Sequence, residues 1–332
     1  MQISLIKPSF LSTLQDLGRW GYLSQAVPVS GAMDTLSARI ANKAVGNEDQ
    51  AAVIEFTYAD AKFVADTNIL VAYAGDGAGF KTEAQYLPSE RPVFIPAGTV
   101  ISLIKNPKGS RTYLAVSGGW DVPEVLGSRS TYLTASFGGL QGRQLQRGDS
   151  LFNKNQLSAT AKNILNKLSG DRVNFPNWSI ARQLFLPAYP KFIRVVPAQE
   201  FNWFDGRSVF DFLSSPYRLS LRSNRMGFHL DGARMDRLVK KELLSTAVAP
   251  GTIQVTGNGS MILLMADCQT TGGYPRIGQV AAVDLPLCGQ LNPAHEIYFK
   301  EICRHEAEML YLEREQQLKK LTVAIQHKSF LK

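Results

Sequence analysis

The sequence is poor in the residues that build disulfide, zinc or serine-nucleophile chemistry. Of 332 residues, only three are cysteines and four are histidines. The cysteines, Cys268, Cys288 and Cys303, form no CxxC pair, and the histidines form no HxxxH or HExxH spacing. We therefore expect reduced, buried thiols and no metal site. No GxSxG motif occurs, which argues against a serine hydrolase.

Long apolar runs and nucleotide-binding loops are also missing. No stretch reaches the ~18 consecutive apolar residues that a membrane-spanning helix needs, and the first residues lack the apolar core of a signal peptide. We therefore predict a cytoplasmic protein. No GxxxxGK(S/T) motif is present, and the glycine-rich segment 75–79 departs from the dinucleotide-binding pattern. ATP, if it takes part, must bind through another chain or an unfamiliar motif.

The excess of positive charge is confined to two segments. The formal net charge is +8, but residues 1–150 and 195–299 each carry equal numbers of basic and acidic side chains. The excess lies in 151–194 and 300–332. A nucleic-acid groove would place its charge on folded faces, so we expect no nucleic-acid partner.

Most of the chain consists of short apolar or alternating runs separated by Gly, Pro, Asn and Asp, as at 69–73, 93–96 and 261–265. Short apolar runs between turn residues are typical of strands and predict a fold dominated by β structure. Helical spacing occurs at 30–46 and from 301 to about 325. We expect these two segments to be helices, the second closing the chain.

The two halves of the sequence echo one another, which indicates a duplicated β domain. The paired segments are 19–22 with 225–228, 53–56 with 252–255, 69–74 with 262–267, and 96–100 with 293–297. We predict a first β domain at 1–152, a basic connector at 153–194, a second β domain at 195–300 and a helical tail at 301–332.

Three polar, glycine-rich segments are candidates for a ligand site: 15–34, 127–149 and 267–275. They combine carboxylates, guanidinium groups and neutral hydrogen-bonding side chains, which can orient a small anionic or amide ligand. Turn pairing and helix capping would explain part of the first segment equally well. Glu55 lies within an apolar strand, where a charge would be perturbed, although simple alternation could also turn it outward.

These segments resemble the biotin-dependent carboxyltransferase-like family. The motifs that carry the resemblance are QDLGR at 15–19, GAMD at 31–34, Asn42 with 46–47, LGSRST at 126–131, RMG at 225–227, PGTIQV at 250–255 and QTTGGYP at 269–275. The resemblance covers about residues 3 to 299. Two family residues differ, because Cys268 stands where Arg is common and Asn224 where Asp is common.

The resemblance implies two cyclophilin-like β-barrel domains with a few helices, and it implies partners. A chain of this length without a biotin attachment site is most similar to the 5-oxoprolinase members, which open 5-oxo-L-proline to L-glutamate with ATP. They act with a sister subunit of related fold, of the B type, and with a third subunit, of the A type. The alternatives are a carboxyltransferase that uses carboxybiotin from another protein and a non-catalytic regulatory module for the sister subunit.

The candidate site residues follow from the motifs and this chemistry. As catalytic or orienting groups we expect Asp16, Asp34 and Glu55. As substrate-binding groups we expect Arg19, Ser30, Arg129, Arg225, Gln269, Thr270 and Tyr274. The arginines would take carboxylate or phosphoryl charge, and the neutral side chains would contact the amide.

Overall fold

A computed structural model describes residues 1–106, 108–187, 191–293 and 295–330. Positions 188–190 of the predicted connector and 331–332 of the predicted tail lie outside the described residues. The chain divides into two compact units. Unit 1 comprises Met1–Arg19, Asp34–Leu184 and Gln317–Lys332, and unit 2 comprises Trp20–Met33 and Phe185–Gln316.

Unit 1 contains two antiparallel sheets around one apolar core. Its strands are β1 (Gln2–Lys7), β2 (Leu11–Gln15), β3 (Val53–Thr57), β4 (Lys62–Ala65), β5 (Ile69–Gly75), β6 (Ala78–Lys81), β7 (Tyr86–Leu87), β8 (Val93–Ile95), β9 (Val100–Lys105), β10 (Arg111–Val116) and β11 (Ser150–Phe152). The six-stranded sheet has the order β11-β1-β4-β9-β6-β7, and the five-stranded sheet has the order β2-β3-β10-β5-β8. Alternate residues such as Ile54, Phe56 and Leu114 enter the core.

Unit 2 is a closed barrel. Its strands are β12 (Phe192–Pro197), β13 (Tyr217–Leu219), β14 (Gly227–Asp231), β15 (Thr246–Ala247), β16 (Thr252–Val255), β17 (Met261–Leu264), β18 (Thr271–Gly272), β19 (Arg276–Val280) and β20 (Glu296–Glu301). Seven of them close in the order β12-β19-β16-β17-β14-β13-β20, while β15 and β18 form a separate two-stranded ribbon. The barrel core includes Ile193, Phe228 and Phe299.

The helices are α1 (Thr35–Ala44), α2 (Ala159–Leu168), α3 (Gly206–Ser214), α4 (Leu285–Gly289) and α5 (Arg304–Phe330). Both predicted helices are therefore present, α1 with Asp34 as its N-cap. The mostly β fold with few helices and a C-terminal helix is confirmed. No helix within the described ranges is long and apolar enough to cross a membrane.

The predicted connector at 153–194 is not a solvated linker. Residues up to Leu184 belong to unit 1, and α2 buries Ala161, Ile164 and Leu168. The apolar stripe of this helix is short and lies among Lys and Asn residues, so the composition of the segment resembled that of a linker. The unit boundaries also differ from the predicted domain boundaries, because Trp20–Met33 packs with unit 2.

The segments that echo one another in sequence do not occupy equivalent positions in the sheets of the two units. In unit 1, β3 and β5 lie on opposite sides of β10. Their proposed counterparts in unit 2, β16 and β17, pair directly with each other. Short apolar strands have similar sequences whichever strands they pair with. The sequence similarity between the two halves therefore does not identify strands at equivalent sheet positions. The fourth echo includes residue 294, which lies outside the described residues.

Candidate functional site

The ten candidate residues are divided between the two units. Unit 1 holds Asp16, Arg19, Asp34, Glu55 and Arg129. Unit 2 holds Ser30, Arg225, Gln269, Thr270 and Tyr274.

Asp16 organises the loop that carries the LGSRST motif. It follows β2, is buried, and accepts four hydrogen bonds through its carboxylate. Oδ1 accepts from Gly18 N at 2.8 Å and from the hydroxyls of Ser128 and Ser130, each at 2.6 Å. Oδ2 accepts from Arg129 N at 2.6 Å. Because these donors occupy both oxygens, the geometry favours an orienting role for Asp16 over proton transfer.

Arg19 is fully buried beside the same loop. Its Nη2 donates to the carbonyl oxygen of Ser130, and its guanidinium carbon lies 4.7 Å from the centre of the Phe137 ring. The ring face stabilises the cation. A side chain at Gly138 would overlap the Ser130 carbonyl, so glycine at this position lets the two loops approach closely enough for the Arg19 contact.

Glu55 is buried, which excludes the outward orientation that alternation had left open. The Tyr113 hydroxyl donates to Glu55 Oε2 at 2.8 Å and accepts from the backbone N–H of Asp34 at 2.8 Å. Burial, together with the charges of Glu55 and Asp34, raises the pKa of Tyr113 well above its ordinary value, so the hydroxyl stays protonated and donates. Arg111 Nε lies 3.9 Å from Glu55 Oε1.

The Asp34 carboxylate caps the N-terminus of α1. Oδ1 accepts from Ser37 N at 2.9 Å and Oδ2 accepts from the Ser37 hydroxyl at 2.6 Å. This is an N-cap, and it satisfies a backbone donor that the first helical turn leaves unpaired. The arrangement supports the capping role that the sequence had offered as an alternative to catalysis.

Arg129 lines an open pocket of unit 1. The pocket has a volume of about 500 Å³ and includes Lys154 and Gln50 in its lining. Arg129 Nη2 forms an ion pair of 2.8 Å with Glu124, whose side chain is half exposed. The Asp16 contact is to the Arg129 backbone, so the side chain and the main chain have separate partners.

In unit 2, Arg225 and Ser30 meet at one buried carboxylate, Asp267, which lies in the candidate segment 267–275 but was not among the predicted site residues. Asp267 accepts from Arg225 Nε at 2.8 Å through Oδ2, and from the Ser30 hydroxyl at 2.6 Å through Oδ1. Arg225 Nη2 also donates to the carbonyl of Gly31. The network balances one buried cation with one buried anion, and it fixes the segment 20–33 within unit 2.

The loop after β17 presents neutral polar groups at the surface. Gln269 Nε2 donates to Gln254 Oε1 at 3.4 Å, and Gln254 Nε2 donates to the Tyr274 carbonyl at 3.3 Å. The Thr270 carbonyl accepts from Val248 N at 3.0 Å. Gln254 is buried on β16, whereas the side chains of Gln269 and Tyr274 are exposed. Hydrogen bonds to Gln254 therefore hold the loop in place, while the side chains of Gln269 and Tyr274 stay accessible to solvent.

Sequence reasoning missed the buried polar partners of the candidate residues. They are Ser128, Ser130, Tyr113, Asp267 and Gln254. Tyr113 and Gln254 lie on β10 and β16, whose residues are all buried, so a polar residue within a buried strand was the available signal for these two. Ser128, Ser130 and Asp267 lie in the candidate segments 127–149 and 267–275, but no role was predicted for them individually.

The cysteines only partly match the expectation of buried thiols. Cys268 and Cys288 are buried, but Cys303 is exposed. Burial, with the charge of Asp267 beside it, raises the pKa of the Cys268 thiol to about 12. The residue that replaces the family arginine is therefore an inert apolar group at neutral pH.

Comparison with known proteins accords with the motifs. Residues 25–301 match the carboxyltransferase domain, subdomain A and B. The C subunit of 5-oxoprolinase from Escherichia coli K12 is 35% identical over 92% of this chain and 93% of its own length. The protein of the same name from Haemophilus influenzae is 31% identical over 93% and 94%. The crystal structure of Kluyveromyces lactis urea carboxylase is similar with a TM-score of 0.85 and 26% identity, over 96% of this chain and 29% of that one. The chain therefore belongs to the family of carboxyltransferase domains that contain subdomains A and B.

Proposed function

We propose that this chain is one component of an ATP-dependent 5-oxoprolinase, which converts 5-oxo-L-proline to L-glutamate in a complex. The observation that carries the proposal is the end-to-end match to two proteins named as the C subunit of 5-oxoprolinase, which extends over more than nine tenths of both lengths. By contrast, the chain spans under a third of the similar urea carboxylase. The partners in the proposal are a sister subunit of related fold and a third subunit.

The N-termini of α1 and α3 and the glycine-rich segment 75–79 do not favour ATP. The N-termini of α1 and α3 carry the carboxylate caps Asp34 and Asp205, which would repel a phosphate. The glycine-rich segment 75–79 joins β5 to β6 and precedes no helix. We therefore assign nucleotide binding to a partner in the complex, where ATP would supply activation of the amide oxygen.

The residues of this chain would bind and orient the lactam. Arg225 is already paired with Asp267, so its charge stabilises the buried structure of unit 2. The accessible neutral groups of Gln269 and Tyr274 can donate to and accept from a cyclic amide. The amide of the lactam ring is uncharged, in contrast to the carboxylate of 5-oxo-L-proline, and neutral donors contact this amide without the desolvation cost of a free charge.

Reconstitution tests the proposal. The chain should release no glutamate by itself, and adding the sister subunits and ATP should restore release. Gln269→Ala should remove most of the reconstituted activity, because it deletes an amide contact on a loop held by other groups. Gln316→Ala, which changes an exposed glutamine of α5, is the matched control and should leave activity unchanged. Rapid turnover by the chain alone would contradict the proposal.

The likeness to urea carboxylase favours one second candidate, a carboxyltransferase that accepts the carboxyl group from carboxybiotin on another protein. This function predicts a biotinylated protein among the co-purifying partners. It also predicts that the chain accelerates the loss of the carboxyl group from carboxybiotin when an amide acceptor is added. An ATP-dependent glutamate yield without any biotinylated partner would exclude it.

A further inference from the structure

The polar pocket of unit 1 that Arg129 lines does not include Gln269 or Tyr274, the groups proposed to bind the lactam. It lies between the segment after α1 and the segment that leads into α2, and its volume of about 500 Å³ is within the range of small-molecule sites. Three charged side chains line it: Arg129, Lys154 and Glu48. The lining therefore carries two positive charges and one negative charge, and Arg129 Nη2 is also paired with Glu124, which is not part of this lining.

Two of these charges have unused hydrogen-bonding capacity. Arg129 Nε is buried and has no hydrogen-bond partner among the described residues. A buried donor without a partner costs stability. Lys154 forms no ion pair with any residue in the described part of the chain.

The pocket walls are fixed before any ligand binds. The Asn47 side chain donates to the Val116 carbonyl and accepts from Gly118 N, each at 2.8 Å. Gly118 has φ +89, and a side chain there would overlap the Lys154 carbonyl. Gln50 Nε2 donates to the Gly18 carbonyl at 3.4 Å, next to the loop that Asp16 organises. A rigid polar wall lowers the entropic cost of holding a small ligand.

We propose that this pocket binds a small α-amino dicarboxylate. Arg129 and Lys154 bind its two carboxylates, and Glu48 binds its ammonium group, so that each ligand charge meets one opposite charge. A guanidinium group matches the planar geometry of a carboxylate. L-Glutamate has this charge pattern. Its identification as the reaction product rests on the proposed function, and would make the pocket a product site.

Calorimetry on the purified chain tests the proposal with four probes: L-glutamate, glutarate, 5-oxo-L-proline and inorganic phosphate. L-Glutamate should bind most tightly. Glutarate, which lacks the ammonium group, should bind about tenfold more weakly, since a tenfold change corresponds to the loss of one modest polar contact. Arg129→Gln and Lys154→Gln should each weaken L-glutamate binding by about tenfold or more.

Matched variants separate the pocket from general charge effects. Arg147→Gln and Lys162→Gln remove exposed basic side chains of the same unit and should leave binding unchanged. Glu48→Gln should weaken binding of L-glutamate but not of glutarate. Thermal melts of all variants should stay close to the parent, because the Asp16 contact uses the Arg129 backbone.

Three results would overturn the proposal: no saturable L-glutamate binding, equal affinity for phosphate, or parental affinity in both Arg129→Gln and Lys154→Gln. The measurement needs neither ATP nor partner subunits. A failure of reconstituted turnover therefore bears on the proposed function alone, and a failure of binding bears on this pocket alone.

Discussion

Gly138 and Gly127 provide a matched test of the close loop packing around Arg19. Both have φ +72, so alanine at either position meets the same left-handed backbone cost. Their surroundings differ, because a Cβ at Gly127 meets nothing within 4 Å. A Cβ at Gly138 would overlap the Ser130 carbonyl and lie 2.9 Å from Arg19 Nη2.

The expected magnitudes follow from these contacts. Gly127→Ala should cost only the backbone term, about 1 kcal/mol of unfolding free energy. Gly138→Ala adds the displacement of the Ser130 carbonyl from Arg19, a hydrogen bond to a charged group that contributes roughly 1.5–3 kcal/mol. The two variants should therefore differ by about 2 kcal/mol, although their backbone angles are the same.

Urea unfolding followed by circular dichroism measures both variants, and both positions belong to unit 1. Reconstituted activity provides a second readout, in which Gly138→Ala should be impaired and Gly127→Ala should not. Equal unfolding free energies for the two variants would refute the reasoning, since they would mean that the Ser130 carbonyl moves at little cost and that Gly138 does not fix Arg19.

Other expectations concern the ion pairs and the thiols. Arg225→Met should destabilise the protein by about 3–5 kcal/mol in denaturant unfolding, because it leaves Asp267 buried without its cation, and adding Asp267→Asn should recover most of the loss. The hydrogen bond from Arg143 holds the pKa of the Asp149 carboxyl below its ordinary value. That stabilisation is present above about pH 4 and is lost as the pH falls through the lowered pKa, so Arg143→Gln should differ from the parent in thermal melts at about pH 7 and converge with it near about pH 2. In the native protein only the exposed Cys303 should react quickly with iodoacetamide, as read by mass spectrometry, and modification of either buried cysteine at the same rate would contradict the structure.

Several local features were predictable from the sequence because short-range physics determines them. The α1 helix begins where Asp34 can cap it and ends just before Gly46, and the apolar residues Leu36 and Ile40, which recur at helical spacing, are buried. The strands at 69–75 and 261–264 lie where apolar runs are bounded by turn residues.

The remaining features depend on which distant segments meet. Nothing in the local pattern around Glu55 indicates that β10 pairs with β3 and places Tyr113 opposite it. Likewise, Ser128 and Ser130 surround Asp16 only because the chain returns after more than a hundred residues.

Local periodicity and capping are properties of a few neighbouring residues, so the sequence by itself determined α1, the C-terminal helix, the mostly β class and the motif loops. Strand partners, unit membership and buried polar networks depend on long-range register, which short apolar strands specify only weakly. The tertiary structure therefore decided that Trp20–Met33 belongs with unit 2 and that Lys154, in the supposed connector, lines a pocket of unit 1.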